Sequence, residues 1–128
     1  MAISSDTIRI GKISSVDYDN GMAKVVYTDR DNMVTAYLPV LSLTGEYRMP
    51  NINDEVLVCH LSNGTSAGVI VGKFWDADNK PAVSGKGKFL KELGSEPGKA
   101  YISCVDDEIT FTDKHGSITL KAIIEGLA

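Results

Sequence analysis

The chain has 128 residues, of which 43% are hydrophobic and 23% are charged, with a formal net charge of −4 and a sequence pI of about 5.1. This length predicts about one domain, with room for a small appendage. The acidic balance argues against a phosphate-binding surface, because affinity for nucleic acid comes mainly from Lys and Arg. The polar N-terminus resembles no signal peptide, and no apolar run approaches the roughly 20 residues of a transmembrane helix. We therefore expect a soluble protein made in the cytoplasm.

The first three predicted strands lie before residue 41. Alternating apolar residues between Thr7 and Val16 predict a strand with a bulge or a sharp coil at Gly11, where the alternation shifts phase. Residues 17–21 contain an Asn-Gly pair, a strong hairpin signal, and lead into a second strand over Met22 to Tyr27. The third strand covers Met33 to Val40, and its proline predicts that the strand ends there or lies at an edge.

Two further strands complete the predicted barrel. Leu41 to Asn53 has neither helical nor strand periodicity and predicts a loop. Asp54 to Ser62 is nearly continuously apolar, which suggests burial on both faces. A second Asn-Gly turn over 62–66 leads to a fifth strand from Ala67 to Trp75. Five short strands at fairly even spacing favour an all-β fold with a small closed barrel, and a five-stranded barrel of this kind is the OB-fold.

The composition changes after the predicted barrel, which spans residues 1–81. Residues 82–99 are rich in Gly, Lys, Ser and Glu and predict a connector. Within it, Phe89, Leu90 and Leu93 could pin a short helical turn or an irregular pass across the barrel.

The last segment, residues 100–128, consists largely of three alternating runs. They are Tyr101 to Val105, Glu108 to Thr112 and Ser117 to Lys121, with turns at 106–107 and 113–116. A period of two places alternate residues on one face of a strand. The apolar positions on that face are Ile102, Cys104, Ile109, Phe111, Ile118 and Leu120. A meander this small exposes its apolar face unless something covers it.

The residues capable of chemistry have structural explanations. His60 lies inside an apolar strand and is read as a core or edge histidine, and His115 is an isolated turn residue without metal-ligand spacing. Asp106, Asp107 and Glu108 could pair for acid–base work or bind calcium, but they read as solvated turn residues without EF-hand spacing.

Neither the basic residues nor the cysteines form a recognisable site. The GKGK stretch at 85–88 lacks the P-loop frame, and Lys86, Lys88 and Lys91 read as a solvated connector. Cys59 and Cys104 read as buried thiols rather than a disulfide or metal pair. We therefore predict no enzyme, and no catalytic, cofactor or metal site.

Two binding functions stay open on the residues alone. An OB-fold commonly binds single-stranded nucleic acid or sugar, and such sites use aromatic platforms and basic side chains. The barrel region has aromatics, including Tyr37 and Trp75, but acids outnumber its Lys and Arg residues. The second alternative is a monomeric module that binds a carbohydrate or a peptide.

Several short motifs resemble the baseplate assembly protein V family, the central spikes of contractile phage tails, which are similar to the VgrG spikes of type VI secretion. The order of the motifs is IRIGKISSVDYDNGMAKVVY, AYLPVL, MPNINDEVLVCHL and AGVIVGKFWDADNKP, and it spans about residues 5–81. The matched positions are Arg9, Gly11, Ile13, Leu38 to Leu41, Asn53, Asp54, Val56, Val58, Gly68, Ile70, Val71, Gly72, Phe74 and Pro81.

The resemblance implies a homotrimer of OB barrels whose last segments, residues 100–128, intertwine into a short β-structured spike. Ile102, Cys104, Ile109, Phe111, Ile118 and Leu120 would then form the trimer interface. It also implies a place in the baseplate of a virion or tail particle, with the baseplate hub, the tail tube, a possible tip protein and the target envelope as partners, and no contact with nucleic acid. The chain lacks the His-x-His tip motif of some such spikes, so no metal is implied.

Overall fold

A computed structural model describes residues 7–61 and 66–127 of the chain. The fold is mostly antiparallel β-sheet with one short helix at its end, which agrees with the predicted all-β class apart from that helix. The strands are β1 (Ile8–Asp17), β2 (Met22–Tyr27), β3 (Met33–Val34), β4 (Leu38–Pro39), β5 (Glu55–His60), β6 (Gly68–Lys73), β7 (Lys88–Glu92), β8 (Tyr101–Val105), β9 (Glu108–Asp113) and β10 (Gly116–Thr119). A 3-10 turn covers Thr28–Arg30, and the helix α1 covers Leu120–Leu127.

The chain divides into two compact units, Met1–Asp76 (unit 1) and Ala77–Ala128 (unit 2). In unit 1 the sheet order is β3-β2-β1-β5-β6, and β4 also pairs with β2. A parallel bridge then joins Val40 to Ile70 of β6, and the Leu41 N–H donates to the Ile70 carbonyl over 2.9 Å. The pairings of unit 1 therefore form a closed ring with one parallel junction.

The interior of this ring is a complete hydrophobic core. Alternate residues of β1, β2 and β5 point inward, so each strand contributes side chains two positions apart. The core residues, each at most 1% exposed, are Ile13, Ala23, Val25, Tyr27, Leu38, Val56, Val58 and Ile70. The strand β5 was expected to be buried on both faces, but only its inward residues are fully buried.

The predicted hairpin between β1 and β2 is confirmed, with Asp17 opposite Met22 and Gly21 at a φ of 67°. The predicted bulge at Gly11 is wrong, because the register shift falls between Ile13 and Ser15. Gly11 has another reason to be glycine. A methyl group at Gly11 would lie 2.5 Å from Val25 Cγ1 and 2.7 Å from the Tyr27 ring.

The predicted third strand is divided into β3 and β4. Thr35 lies in the gap, where its N–H donates to the Val25 carbonyl over 2.9 Å. Its Oγ1 accepts the Val25 N–H over 3.0 Å, so a side chain replaces one rung of the backbone ladder. As predicted, the strand that contains Pro39 ends at that proline. Most of the second predicted Asn-Gly turn, residues 62–65, lies outside the described residues.

Unit 2 contains a four-stranded antiparallel sheet in the order β10-β9-β8-β7. The strand β7 occupies part of the predicted connector, where a helical turn or an irregular pass was expected. The predicted turn at Asp106 and Asp107 is confirmed, and both residues have positive φ, at 50° and 69°. Two consecutive residues of this kind are typical of a type I′ hairpin, which fixes the register of β8 against β9.

The end of the chain differs most from its prediction. Ser117 to Lys121 was expected to be a strand, but β10 ends at Thr119 and α1 begins at Leu120. Thr119 Oγ1 accepts the Ala122 N–H over 3.1 Å, which is the bond of a helix N-cap. The cap ends the alternating pattern, and the apolar residues that follow have helical spacing.

Candidate assembly surface

The register of unit 2 places six apolar residues on one face of the sheet, which also carries Lys91 opposite Ile102. Residues directly opposite each other in neighbouring strands point to the same side. One row is Phe89, Cys104 and Ile109, and the next is Ile102, Phe111 and Ile118. We call these six residues the apolar face. Five of the six residues predicted from the sequence therefore lie together on it.

This apolar face is open to solvent in the isolated chain. Phe89 is 62% exposed, Ile118 48% and Phe111 37%, while the other three residues are half-buried. Among the described residues of unit 2, none is fully buried, whereas unit 1 has a complete core. The sheet of unit 2 thus has an apolar face without a core of its own.

Leu120, the sixth predicted residue, starts α1 instead of continuing the face. The helix lies beside β9 and β10. It leaves Ile124 59% exposed and Leu127 83% exposed. Because isolated helices of this length are unstable in water, α1 needs contacts beyond its own backbone.

Phe89 is the residue of the apolar face that sequence reasoning missed. It lies in β7, where neither face is uniformly apolar. Phe89 shares its face with Lys91, and Leu90 shares the opposite face with Lys88. The available signal was the short run KFLKE, whose register against β8 places Phe89 opposite Cys104.

The opposite face of the same sheet carries many hydroxyl groups. Ser103, Thr110, Thr112, Ser117 and Thr119 share it by register. Thr112 Oγ1 and Ser117 Oγ are hydrogen-bonded across β9 and β10 over 2.8 Å. The same register also places Leu90, Tyr101 and Val105 on this face, so it is mixed in character, whereas the other face is mainly apolar.

A shallow groove of about 450 Å³ lies at one end of this sheet, and its lining includes Ile102, Phe111, His115 and Ile118. His115 is an exposed turn residue, as predicted. The His115 N–H donates to Asp113 Oδ1 over 2.7 Å, and this hydrogen bond, assisted by the His115 side chain, lowers the pKa of Asp113. These contacts close a turn.

A second group of polar residues lies inside unit 1. The Arg9 guanidinium lies 3.8 Å from the centre of the Tyr27 ring and forms a 3.9 Å ion pair with Asp29. His60 Nδ1 lies 3.0 Å from the Ala67 carbonyl, which can only accept, so in the neutral ring Nε2 accepts the Tyr27 hydroxyl over 2.6 Å. Burial raises the pKa of Tyr27 to about 12. His60 is thus a satisfied core histidine, as predicted.

Both cysteines are free and half-buried, and they lie in different units. Across residues 7–61 and 66–127, no group of three or more His, Cys, Asp or Glu residues is arranged to hold a metal ion. In the same part of the chain, no helix is long and apolar enough to cross a membrane.

No protein-family model matches this chain, and no curated protein matches it.

Proposed function

We propose that the chain is the subunit of a homotrimeric central spike at the tip of a contractile tail, in a phage, a bacteriocin or a related injection particle. The spike caps the tail tube at the baseplate and pierces the target envelope when the sheath contracts. The observation that carries this proposal is the apolar face of unit 2, in a unit with no fully buried side chain among its described residues.

The ring of pairings in unit 1 supports an OB-type barrel. Its one parallel junction, at Val40 and Ile70, joins strands that are distant in sequence, and the remaining pairings are antiparallel. Several residues that carry the resemblance to baseplate spikes also have packing roles here. Ile13, Leu38 and Val56 are core residues, and Gly11 leaves room for the Tyr27 ring. These matched residues therefore have packing roles that suit such a barrel.

Two further copies of the chain would cover the apolar face. Burial of six partly exposed apolar side chains contributes on the order of 5–10 kcal/mol per chain before entropic costs. Assembly would also pair the open outer edges of β7 and β10, which otherwise offer unpaired backbone groups to other chains. Trimerisation is thus obligate for unit 2 in this proposal.

A rigid trimer of this kind suits a mechanical role. Force passes along a spike without local unfolding when its strands have no open edges and its apolar faces are buried. In this assembly the hub and the tail tube contact the barrel, and a separate tip protein has the end of α1 available to it. The protein works in the baseplate of the particle after assembly in the bacterial cytoplasm.

The first test is the mass of the purified chain in solution, measured by light scattering. We expect a trimer for the wild type and a monomer for Phe111→Asp, because the new charge would lie on the apolar face. The matched control is Thr110→Asp on the opposite face of the same strand, which should stay trimeric. A monomeric wild type, or a trimeric Phe111→Asp variant, would contradict the proposal.

A second test addresses the shape of the assembly. Electron microscopy of the purified wild type should show a particle with one wide end and one narrow end, and three-fold views along its axis. Compact particles without three-fold symmetry would argue for a binding module instead, and binding of a single-stranded DNA oligonucleotide that weakens with salt would identify its ligand class.

A further inference from the structure

The hairpin between β1 and β2 contains a chemically reactive pair of residues. Asn20 precedes Gly21 in the loop of residues 18–21, and Asn20 is exposed to solvent. In an Asn-Gly pair, the glycine nitrogen attacks the side-chain amide of the asparagine more easily than any other residue does, because glycine has no side chain to obstruct the approach. Asparagine is thermolabile for this kind of reason. The exposed loop therefore offers a position for spontaneous covalent modification.

The reaction of such a pair has two steps, with water as the only co-reactant. In the first step a bond forms between the Gly21 nitrogen and Asn20 Cγ, and the bond from Cγ to Nδ2 breaks. The amide leaves as ammonia, which carries away the proton of the Gly21 nitrogen, and a cyclic succinimide remains. In the second step water opens the succinimide to aspartate or to isoaspartate, in which the main chain passes through the former side chain. Either product adds one negative charge.

Asp17 holds Asn20 in a way that opposes the first step. Asp17 Oδ2 accepts the side-chain amide of Asn20 over 2.9 Å, and Asp17 Oδ1 accepts its backbone N–H over 3.4 Å. Rotation of the amide toward the Gly21 nitrogen breaks the bond to Oδ2. The charge of Asp17 also disfavours the negative charge that develops on the amide oxygen during the attack. The folded hairpin therefore slows the reaction.

Gly21 also connects this loop to the closure of the ring of pairings in unit 1. Its carbonyl accepts the Val40 N–H over 2.9 Å. Val40 forms the parallel bridge to Ile70, and the next residue, Leu41, donates its N–H to the Ile70 carbonyl. Isoaspartate inserts an extra carbon into the main chain directly before Gly21. The insertion displaces the Gly21 carbonyl from Val40 if the strands keep their register.

We propose that Asn20 is a modification site restrained by Asp17, and that its isoaspartate product loosens the ring of unit 1 at Val40. The reaction needs no enzyme and no partner, so it proceeds in a monomer and in a trimer alike and does not depend on the spike function. Unit 1 then has a chemical lifetime that is set by how often the hairpin opens.

The first experiment measures the rate of modification at Asn20 by peptide mapping with mass spectrometry. The full chain is kept in mildly alkaline buffer, with and without urea. We expect Asn20 to react roughly tenfold more slowly in the native chain than in urea, a factor that corresponds to about 1.4 kcal/mol for opening the hairpin. Equal rates in the two conditions would overturn the restraint.

A pair of substitutions assigns the restraint to Asp17. Asp17→Ala removes the acceptor of both hydrogen bonds and should accelerate the reaction at Asn20 severalfold in native buffer. The matched control is Asp19→Ala, which removes a carboxylate from the same loop, leaves both bonds in place and should have a smaller effect. Asn63, in the second Asn-Gly pair of the sequence, serves as the reference for changes that are not specific to the hairpin. Equal acceleration by the two substitutions would contradict the role of Asp17, and the urea comparison decides the restraint if Asp17→Ala does not fold.

The second experiment measures what the product does to the ring. The modified chain is separated by anion exchange through its added charge, and its amide hydrogen exchange is compared with that of the wild type. The amides of Val40 and Leu41 should exchange faster, whereas the amide of Val58 in β5 should change less. The control is Asn20→Asp, which adds the charge without lengthening the main chain and should exchange more slowly than the isoaspartate chain. Wild-type exchange at Val40 and Leu41 in the isoaspartate chain, or an equal increase in Asn20→Asp, would overturn the link to ring closure.

Discussion

Tyr27 introduces an aromatic ring and a hydroxyl into an aliphatic core, and three neighbouring residues accommodate them. The Arg9 guanidinium lies over the ring, Gly11 leaves space beside it, and His60 accepts its hydroxyl. Arg9 Nη2 is buried and has no hydrogen-bond partner among the described residues. The guanidinium instead contacts the Tyr27 ring and forms the 3.9 Å ion pair with Asp29. The interior of the barrel therefore depends on a few specific contacts as well as on apolar burial.

Gly11→Ala should destabilise unit 1 by about 1–3 kcal/mol, because the added methyl group would overlap Val25 and the Tyr27 ring. The measurement is urea unfolding of the full chain. The control is Gly126→Ala in α1, where a methyl group would meet no atom within 4 Å. That substitution should be neutral or stabilising by up to about 1 kcal/mol, since alanine favours helix more than glycine. Equal effects at both sites would contradict the packing role of Gly11.

The Tyr27 hydroxyl predicts a loss of stability at alkaline pH. Its pKa is raised to about 12 in the folded chain, so the unfolded state releases the proton first, from pH 10 upward. The free energy of unfolding should then fall between pH 10 and pH 12, with a slope of up to about 1.4 kcal/mol per pH unit from this group.

Tyr27→Phe should lack that part of the alkaline slope. The variant should also be less stable at neutral pH by about 1–3 kcal/mol, because His60 Nε2 would lose its hydroxyl partner in the core. The control is Tyr47→Phe, at a tyrosine that is 69% exposed. If Tyr27→Phe kept the full wild-type slope, another group would be responsible for the alkaline loss.

Among the elements, local signals predicted some features and missed others. The turn at Asn20 and Gly21 and the turn at Asp106 and Asp107 were predictable, because each depends on a few adjacent residues. The strand β7 was missed because its composition resembles a linker and its structure depends on pairing with β8. The ring closure at Val40 and Ile70 joins residues 30 positions apart and has no local signal.

The helix α1 was missed for a different reason. Thr119 fits the alternation of β10 and also caps the helix, so the residue before Leu120 satisfies both patterns. The same ambiguity placed Leu120 in the predicted interface, although the other five predicted residues share one face. Alternation therefore predicts which side chains share one face only while the strand continues. The prediction fails where a helix cap replaces the period of two with a helical period.

Thr119→Ala should weaken α1 by about 1 kcal/mol, because the Ala122 N–H would lose its side-chain acceptor. The measurement is hydrogen exchange of the amides in 120–127, which should become faster in the variant. Thr119→Ser keeps the hydroxyl and should exchange like the wild type. Unchanged exchange in Thr119→Ala would mean that contacts with β9 and β10, rather than the cap, hold the helix.

For the whole molecule, the two units differ in what stabilises them. Unit 1 has a complete core, whereas no described residue of unit 2 is fully buried. In the proposed trimer, the folding of unit 2 is therefore linked to association, and its stability depends on protein concentration.

Hydrogen exchange at two protein concentrations tests this linkage. Amides of β8 and β9 should exchange more slowly at the higher concentration, because association buries the apolar face. Amides of the inner strands of unit 1, such as those around Val25 and Val58, should change less. Exchange in β8 and β9 that does not depend on concentration would point to a sheet that is stable in a single chain.

The outer edges of the unit 2 sheet raise the question of when assembly stops. The β7 edge carries Lys88, Lys91 and Glu92, whereas β10 is four residues long and without charge. Charges on an edge strand oppose open-ended pairing between sheets, while a closed ring of copies leaves no edge for further growth. Lys88→Val together with Lys91→Val should therefore convert a product of fixed size into fibres that bind thioflavin T. In that view, the lysines of β7 oppose open-ended pairing before the ring of three copies closes, and the closure itself fixes the number of chains.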